Sequence, residues 1–356
     1  MKKIQNMQLQ QRKDLFVRIG ALLKTLSKPS EERVGDAFSN QLDLDEMDGV
    51  INLEVRHNGW FTKENIRQSF AAWGEVLTAE KLDKWLANYS FAESETPKKV
   101  GLILAGNIPM VGFHDVMSVI LSGNCAQVKL SRDDARLLPS VMGMALQLEP
   151  KLKEYIEFVP GKLSGFDAVI ATGSNNTSRY FELYFGKVPN IIRKNRSSVA
   201  VVQGNETKEE LELLGHDIFS YFGLGCRNVT NVMMPRDFNL DRVFEGLFPF
   251  KEIVNHNKYA NNYDYHKALW LLNNEQLLEN GFILVKEDTA LVSPVGSLFI
   301  QRYDDLSEVE KYIEEYTNDI QVVVGRNYVP FGQAQCPELW DYADGVDTLA
   351  FLSSLA

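Results

Sequence analysis

The stretch Phe219-Ser220-Tyr221-Phe222-Gly223-Leu224-Gly225-Cys226-Arg227-Asn228 organises the reading of this chain. Before it, Glu209 to Phe222 reads as a helix, with apolar residues at Leu211, Leu214, Ile218, Phe219 and Phe222. After it, the apolar run Val229 to Met234 reads as a strand. Gly223 and Gly225 permit backbone dihedrals closed to other residues, so the connecting loop can turn sharply and present Cys226 in a cleft. Arg227 beside it favours the thiolate, the nucleophilic form of cysteine. Taken alone, such a cysteine is equally a loop residue of no consequence; the remainder of the chain decides.

At 356 residues the chain exceeds the usual size of a single core, which predicts two domains. Hydrophobic residues make up 45% and charged residues 24%, as in ordinary globular proteins. A net charge of -11 argues against general nucleic-acid binding. Cys125, Cys226 and Cys336 have no paired spacing, so neither a disulfide framework nor a metal site is expected. The N-terminal Met1-Lys2-Lys3-Ile4-Gln5 leads into a polar amphipathic stretch, and no apolar run is long enough to span a bilayer. The expectation is a cytoplasmic protein.

The fold class expected is α/β. Residues 1–95 read as a helical region packing on the domain that follows, with Leu15, Phe16, Ile19, Leu22, Leu23 and Leu26 at helical spacing. A polar break falls at Ser27-Lys28-Pro29-Ser30, and Thr62 and Thr78 are placed as N-caps. Glu93 to Lys99 reads as a polar linker. Residues 96–204 then alternate strand and helix: Val100–Ala105, Cys125–Leu130, Ile156–Val159, Phe166–Ala171, Val188–Ile192 and Val199–Val202 are short apolar strands. This rhythm predicts a parallel sheet with crossover helices, whose ligand crevice lies at the strands' carboxyl ends. The loops there are Gly106-Asn107, Ser131-Arg132 and Thr172-Gly173-Ser174. Residues 205–340 form a second α/β unit entered at Cys226, with helices expected at Asp241–Phe248, Tyr265–Glu279 and Ser307–Tyr316. Residues 341–356 are an acidic tail ending in Leu349, Phe351 and Leu352, whose apolar ends suggest a pairing strand and hence a homodimer. No GxGxxG follows the first strand.

Four spaced elements, Asn107-x-Pro109, Gly123-Asn124 before Lys129-Leu130-Ser131, Thr172-Gly173-Ser174 and Gly-Leu-Gly-Cys226, together resemble the aldehyde dehydrogenase superfamily. The string Gly-Leu-Gly-Cys-Arg-Asn-Val, with Pro330-Phe331-Gly332 and the Asp-Tyr-Ala-Asp-Gly tail, resembles its acyl-CoA reductase branch, which includes the LuxC-type fatty acid reductases. The resemblance covers residues 95 to 356 and implies two Rossmann-like lobes. It implies that Cys226 accepts the acyl group and that Asn107 donates to the oxyanion together with the backbone N–H of Cys226. It also implies that Lys129, Ser131 and Arg132 meet the adenosine ribose, and that Thr172, Gly173 and Ser174 lie by the cofactor's phosphates and nicotinamide. The plainer alternatives are a helix cap for Asn107 and a solvated strand end for Lys129.

Two departures from the superfamily pattern carry information. Hydrolytic members place a water-activating glutamate in Glu-Leu-Gly-Gly-Lys, whereas this chain reads Ile191-Ile192-Arg193-Lys194-Asn195-Arg196, with no acid. Without that base, water attack on an acyl-cysteine is slow, which favours thioester chemistry. In addition, Arg132 stands where many NAD-using relatives carry an acid, which favours NADPH over NADH unless Asp133 or Asp134 faces the ribose. The carboxylate that normally steadies the nicotinamide ribose is also missing from Asp288-Thr289-Ala290-Leu291. His114, His216, Cys125 and Cys336 are read as packing or surface residues, and Arg193, Lys194 and Arg196 as a basic cluster able to meet CoA phosphates or simply solvated. The expected activity is reduction of an acyl-CoA to its aldehyde with NADPH through an acyl-cysteine. The alternative is non-redox acyl transfer or thioester hydrolysis at the same cysteine.

Overall fold

The computed structural model describes residues 7–34, 42–91 and 97–355. The terminal Met1–Gln5 stretch, the greater part of the expected linker and the boundary set at 95/96 lie outside the described residues. The chain divides into two compact units, one of residues 1–194 with 338–356 and one of residues 195–337.

The first unit begins with four helices, α1 (Leu9–Leu26), α2 (Leu44–His57), α3 (Lys63–Val76) and α4 (Ala79–Leu86). Side-chain oxygens stop three of them from fraying. Asp43 accepts from the N–H groups of Asp45 and Glu46, Thr62 from Asn65 at 3.1 Å, and Thr78 from Lys81 at 3.3 Å. The apolar stripe of α1 is buried from Leu15 to Leu26 in one core with Phe70, Trp85 and Phe113.

The strands β1 (Lys99–Ile103), β2 (Cys125–Lys129), β3 (Ile156–Phe158), β4 (Ala168–Thr172) and β5 (Asn190–Arg193) follow. They alternate with α5 (Phe113–Leu121), α6 (Leu137–Leu148) and α7 (Asn175–Phe185). The sheet order is β3-β2-β1-β4-β5, with every pair parallel. Buried Val100, Leu102, Val128 and Ile170 explain why these strands read as continuous apolar runs.

The second unit carries β6 (Ser197–Val201), α8 (Lys208–Phe219), β7 (Val229–Pro235), α9 (Asp241–Leu247) and α10 (Asn257–Leu272). It continues through β8 (Leu278–Glu279), β9 (Leu284–Glu287), β10 (Ser297–Tyr303), α11 (Leu306–Glu315) and β11 (Ile320–Val324). The order is β11-β6-β7-β10-β9-β8, parallel except where β8 meets β9. No helix among the described residues is long and apolar enough to cross a membrane.

Three expectations change. The strand read at Val199–Val202 is β6 of the second sheet, so that unit starts at Asn195 rather than at 205. The helix expected over Tyr265–Glu279 runs instead from Asn257 to Leu272, because His256 caps its start and the left-handed Asn274 follows its end. The tail is not a pairing strand. It forms α12 (Thr348–Ser353), with Leu349 and Leu352 buried in the first unit's core.

Arg193 secures that tail. It is buried, pairs with Asp115 of α5, and donates from Nη2 to Thr348 Oγ1 at 2.9 Å. Arg193 is therefore a structural residue rather than part of a solvated basic cluster; Lys194 pairs with Glu182 at 3.0 Å, and Arg196 donates to the Ile320 carbonyl at 3.2 Å. Removing one partner strands a buried charge. Asp115→Ala should cost about 3–5 kcal/mol of unfolding free energy in a urea titration, whereas exposed Glu182→Ala should cost less than about 1 kcal/mol.

Candidate functional site

β2, β1 and β4 are adjacent and parallel, so their carboxyl ends place the three sequence-singled loops along one sheet edge. Lys129 ends β2 and is half-buried, and the Leu104 N–H donates to its carbonyl at 3.1 Å. Gly106 lies so close to the next loop that an added Cβ would sit 2.7 Å from Ser131 Oγ, which leaves glycine as the residue that fits. Asn107 is exposed in the loop after β1. It does not cap α5, whose N-cap is Gly112, so the plainer reading of Asn107 fails. Thr172 ends β4, and Ser174 caps α7, its Oγ accepting from the Thr177 N–H at 3.3 Å.

The helical N-terminal region, without assignable chemistry in the sequence, braces these loops. Ser69 of α3 donates to the Pro109 carbonyl at 2.9 Å. At the end of α2, Asn58 donates to the Asp133 carbonyl at 3.0 Å, and His57 Nε2 lies 2.9 Å from the Arg132 carbonyl. Glu54, fully buried, accepts from the Ala135 N–H at 3.0 Å and pairs with Arg136 at 2.7 Å.

The acids after Arg132 separate. Asp133 and Arg132 are exposed, but Asp134 turns inward and accepts from the Met110 N–H at 2.7 Å. Met110 holds a left-handed φ of 60°, unusual for a side chain of its bulk, three residues after Asn107. Burial, with Glu54 nearby, pushes the Asp134 carboxyl up to about 7.

In the second unit, Cys226 is half-buried in the turn between α8 and β7. Tyr221, Phe222 and Gly223 take left-handed φ of 53°, 59° and 77°, whereas Gly225 does not. Only one of the two glycines singled out in the sequence thus supplies the turn, and two aromatic residues supply the rest. Phe222 stacks on His256 with ring centres 4.1 Å apart.

Buried Asn228 donates to the carbonyls of Asp217, Ile218 and Ser220 at 3.1, 3.3 and 2.9 Å. Its Oδ1 accepts from the Gly225 N–H at 2.8 Å. Ser198 Oγ donates to the Cys226 carbonyl at 3.0 Å, and Arg227 Nε to the Ala334 carbonyl at 2.5 Å. Asp217, buried and pushed up to about 6, accepts from the Gly332 and Ala334 N–H groups. A small cleft beside the loop is lined by Phe222, Gly223, Thr230, Tyr259 and Ile283. The sequence by itself assigns Asn228 no role. An amide three residues beyond a Gly-x-Gly turn was the only signal.

The remaining candidates are packing residues. Burial pushes the Cys125 thiol up to about 11, and its Sγ faces the Glu154 carbonyl at 3.1 Å. His114 is half-buried against Trp85 and Tyr342, and exposed His216 packs edge-on to Phe250. Among the described residues, no group of three His, Cys, Asp or Glu is placed to hold a metal.

The profile of the LuxC acyl-CoA reductases matches residues 27–239, which span both the Asn107 loop and the Cys226 turn. The chain belongs to this family. Solved structures similar to this acyl-CoA reductase family member are aldehyde dehydrogenases. Aldehyde dehydrogenase 21 of Physcomitrella patens, bound to succinate, is 12% identical, with a TM-score of 0.65 over 90% of this chain and 74% of its own. An indole-3-acetaldehyde dehydrogenase bound to NAD+ is 14% identical, with a TM-score of 0.64 over 89% and 72%. Escherichia coli lactaldehyde dehydrogenase is 13% identical, with a TM-score of 0.63 over 89% and 74%. At these identities the likeness establishes the aldehyde dehydrogenase-like fold. No curated protein matches the chain in sequence.

Asp134 makes a pH test available. A carboxyl held near 7 in the folded chain keeps a proton that the unfolded chain releases near pH 4, so its stabilisation is complete at low pH and lost as pH rises to about 7. Relative to wild type, Asp134→Asn should remove a fall on the order of 4 kcal/mol in unfolding free energy between pH 4 and 8. Denaturant titrations across that range read it directly.

Proposed function

We propose that this LuxC-family chain reduces acyl-CoA to aldehyde with NADPH, Cys226 carrying the acyl group. The observation that supports this most is the fixed turn at Cys226, in which hydrogen bonds restrain the peptides on both sides of a half-buried thiol. The thiolate attacks the thioester carbonyl, and the pair of electrons displaced onto oxygen is held by the Cys226 N–H, a donor worth about 3 kcal/mol in sites of this kind. The oxyanion collapses, the C–S bond to CoA breaks, and CoA leaves as its thiol after taking a proton. Exchange of one thioester for another leaves this step nearly isoenergetic. NADPH, when bound, supplies the hydride that reduces the acyl carbonyl. Breakdown of the resulting thiohemiacetal on Cys226 releases the aldehyde and restores the thiolate.

The first unit's residues fit a dinucleotide. Ligands of parallel α/β sheets bind outside the strands' carboxyl ends, where Lys129, Ser131, Thr172, Gly173 and Ser174 are gathered. The α7 N-terminus behind Ser174 favours phosphate. Arg132 is exposed, and of the two acids that follow it Asp134 turns inward while Asp133 stays exposed.

Wild type incubated with an acyl-CoA should show an acyl adduct by intact mass, and Cys226→Ala should show none. Consumption of thioester without oxidation of NADPH would instead identify a transferase or thioesterase. Arg132→Gln should raise KM for NADPH about tenfold and leave KM for NADH within about twofold, since it removes one charge-assisted contact with the 2′-phosphate. Equal effects on the two cofactors would remove Arg132 from the ribose site.

A further inference from the structure

We infer that Asn228 is the positioning residue of the Cys226 turn, and that its side-chain amide sets the geometry in which the thiol meets an acyl carbonyl. This rests on Cys226 being the acyl acceptor. Asn228 is fully buried and brackets Gly225 from both sides. Its Oδ1 takes the Gly225 N–H at 2.8 Å, and its own N–H donates to the Gly225 carbonyl at 3.0 Å. The peptide joining Gly225 to Cys226 is planar and trans, so fixing the Gly225 carbonyl also fixes the direction of the Cys226 N–H.

The other end of the amide reaches the carbonyls of Asp217, Ile218 and Ser220, at the end of α8 and the start of the 3-10 turn that follows it. One side chain thus ties the nucleophile's turn to the helix that precedes it. Ser198 completes the restraint by donating to the Cys226 carbonyl at 3.0 Å. Among the side chains only an amide serves both ends, with one acceptor for Gly225 and one donor group for α8. An aspartate of the same shape would oppose three carbonyl oxygens.

The test compares two reactions of the same sulfur. Alkylation by iodoacetamide needs an accessible thiolate and no oxyanion donor, whereas acylation by acyl-CoA needs the carbonyl held in line and its oxyanion met. Asn228→Ala and Asn228→Asp should lower the single-turnover rate of Cys226 acylation at least tenfold. Alkylation of Cys226, read by peptide mass, should change less than threefold, and KM for acyl-CoA should stay within about twofold. Equal losses in both reactions, or wild-type acylation in a folded variant, would overturn the proposal. Should both variants prove insoluble, Ser198→Ala decides: unchanged acylation overturns the positioning argument, and a selective loss supports it. Absence of any acyl adduct on wild type, with Cys226 still alkylated, would instead reject the acyl-cysteine reading itself.

Discussion

The connection from α8 to β7 is governed by what happens to the helix's last carbonyls. A helix end leaves carbonyl acceptors that need partners, and at this end Asp217, Ile218 and Phe219 are buried. Asn228 meets three of those carbonyls with one amide. The turn it closes is not one the chain favours by itself. Tyr221 and Phe222 sit at left-handed φ, each at a cost of order 1–3 kcal/mol. Hydrogen bonds of about 1 kcal/mol each are of comparable size only when several act together. The bonds from Asn228 and Ser198, with the Phe222–His256 stack, supply that number.

The first unit repeats the device on a different loop. Met110 is left-handed close behind Asn107, and buried Asp134 takes its N–H. Ser69 takes hold of Pro109 one residue earlier, and Gly106 presses against Ser131 on the other side. In both units an exposed or half-buried candidate group sits beside strained backbone, with a buried Asx side chain holding the strain. Such strain persists only where its surroundings over-determine it. The N-terminal helices are part of those surroundings, since α2 and α3 supply His57, Asn58 and Ser69 to the loops after β1 and β2.

The alternation of apolar runs with helices made the parallel sheet readable, because strands buried on both faces leave unbroken runs such as Val100 to Ala105. The caps Thr62 and Thr78 were readable because the hydroxyl chemistry of a helix start is local. What was not readable depended on partners distant in sequence. α7 has one buried residue, Ser178, and its half-buried face is only Phe181 and Phe185, the latter packed on Phe166 from before β4. The tail's Leu349 and Leu352 are apolar in a pairing strand and in a docked helix alike, and the Asp347 cap on the Ala350 N–H and the buried Arg193–Thr348 contact favour the helix. Asp133 and Asp134 are adjacent in sequence and opposite in exposure, a distinction drawn by Met110 and Glu54 from other elements.

The same long-range contact settles what the end of β5 does. Where hydrolytic aldehyde dehydrogenases carry a glutamate, this chain ends β5 in an arginine locked to Asp115 and Thr348. A guanidinium has no lone pair with which to accept a proton from water, and this one is already committed to structure. The buried acid on α8, Asp217, is likewise committed to structure. Both of its oxygens accept backbone N–H groups, from Gly332 and Ala334. Each of these charged groups thus serves the fold of its own unit, Arg193 by holding the C-terminal helix and Asp217 by holding the backbone from Gly332 to Ala334.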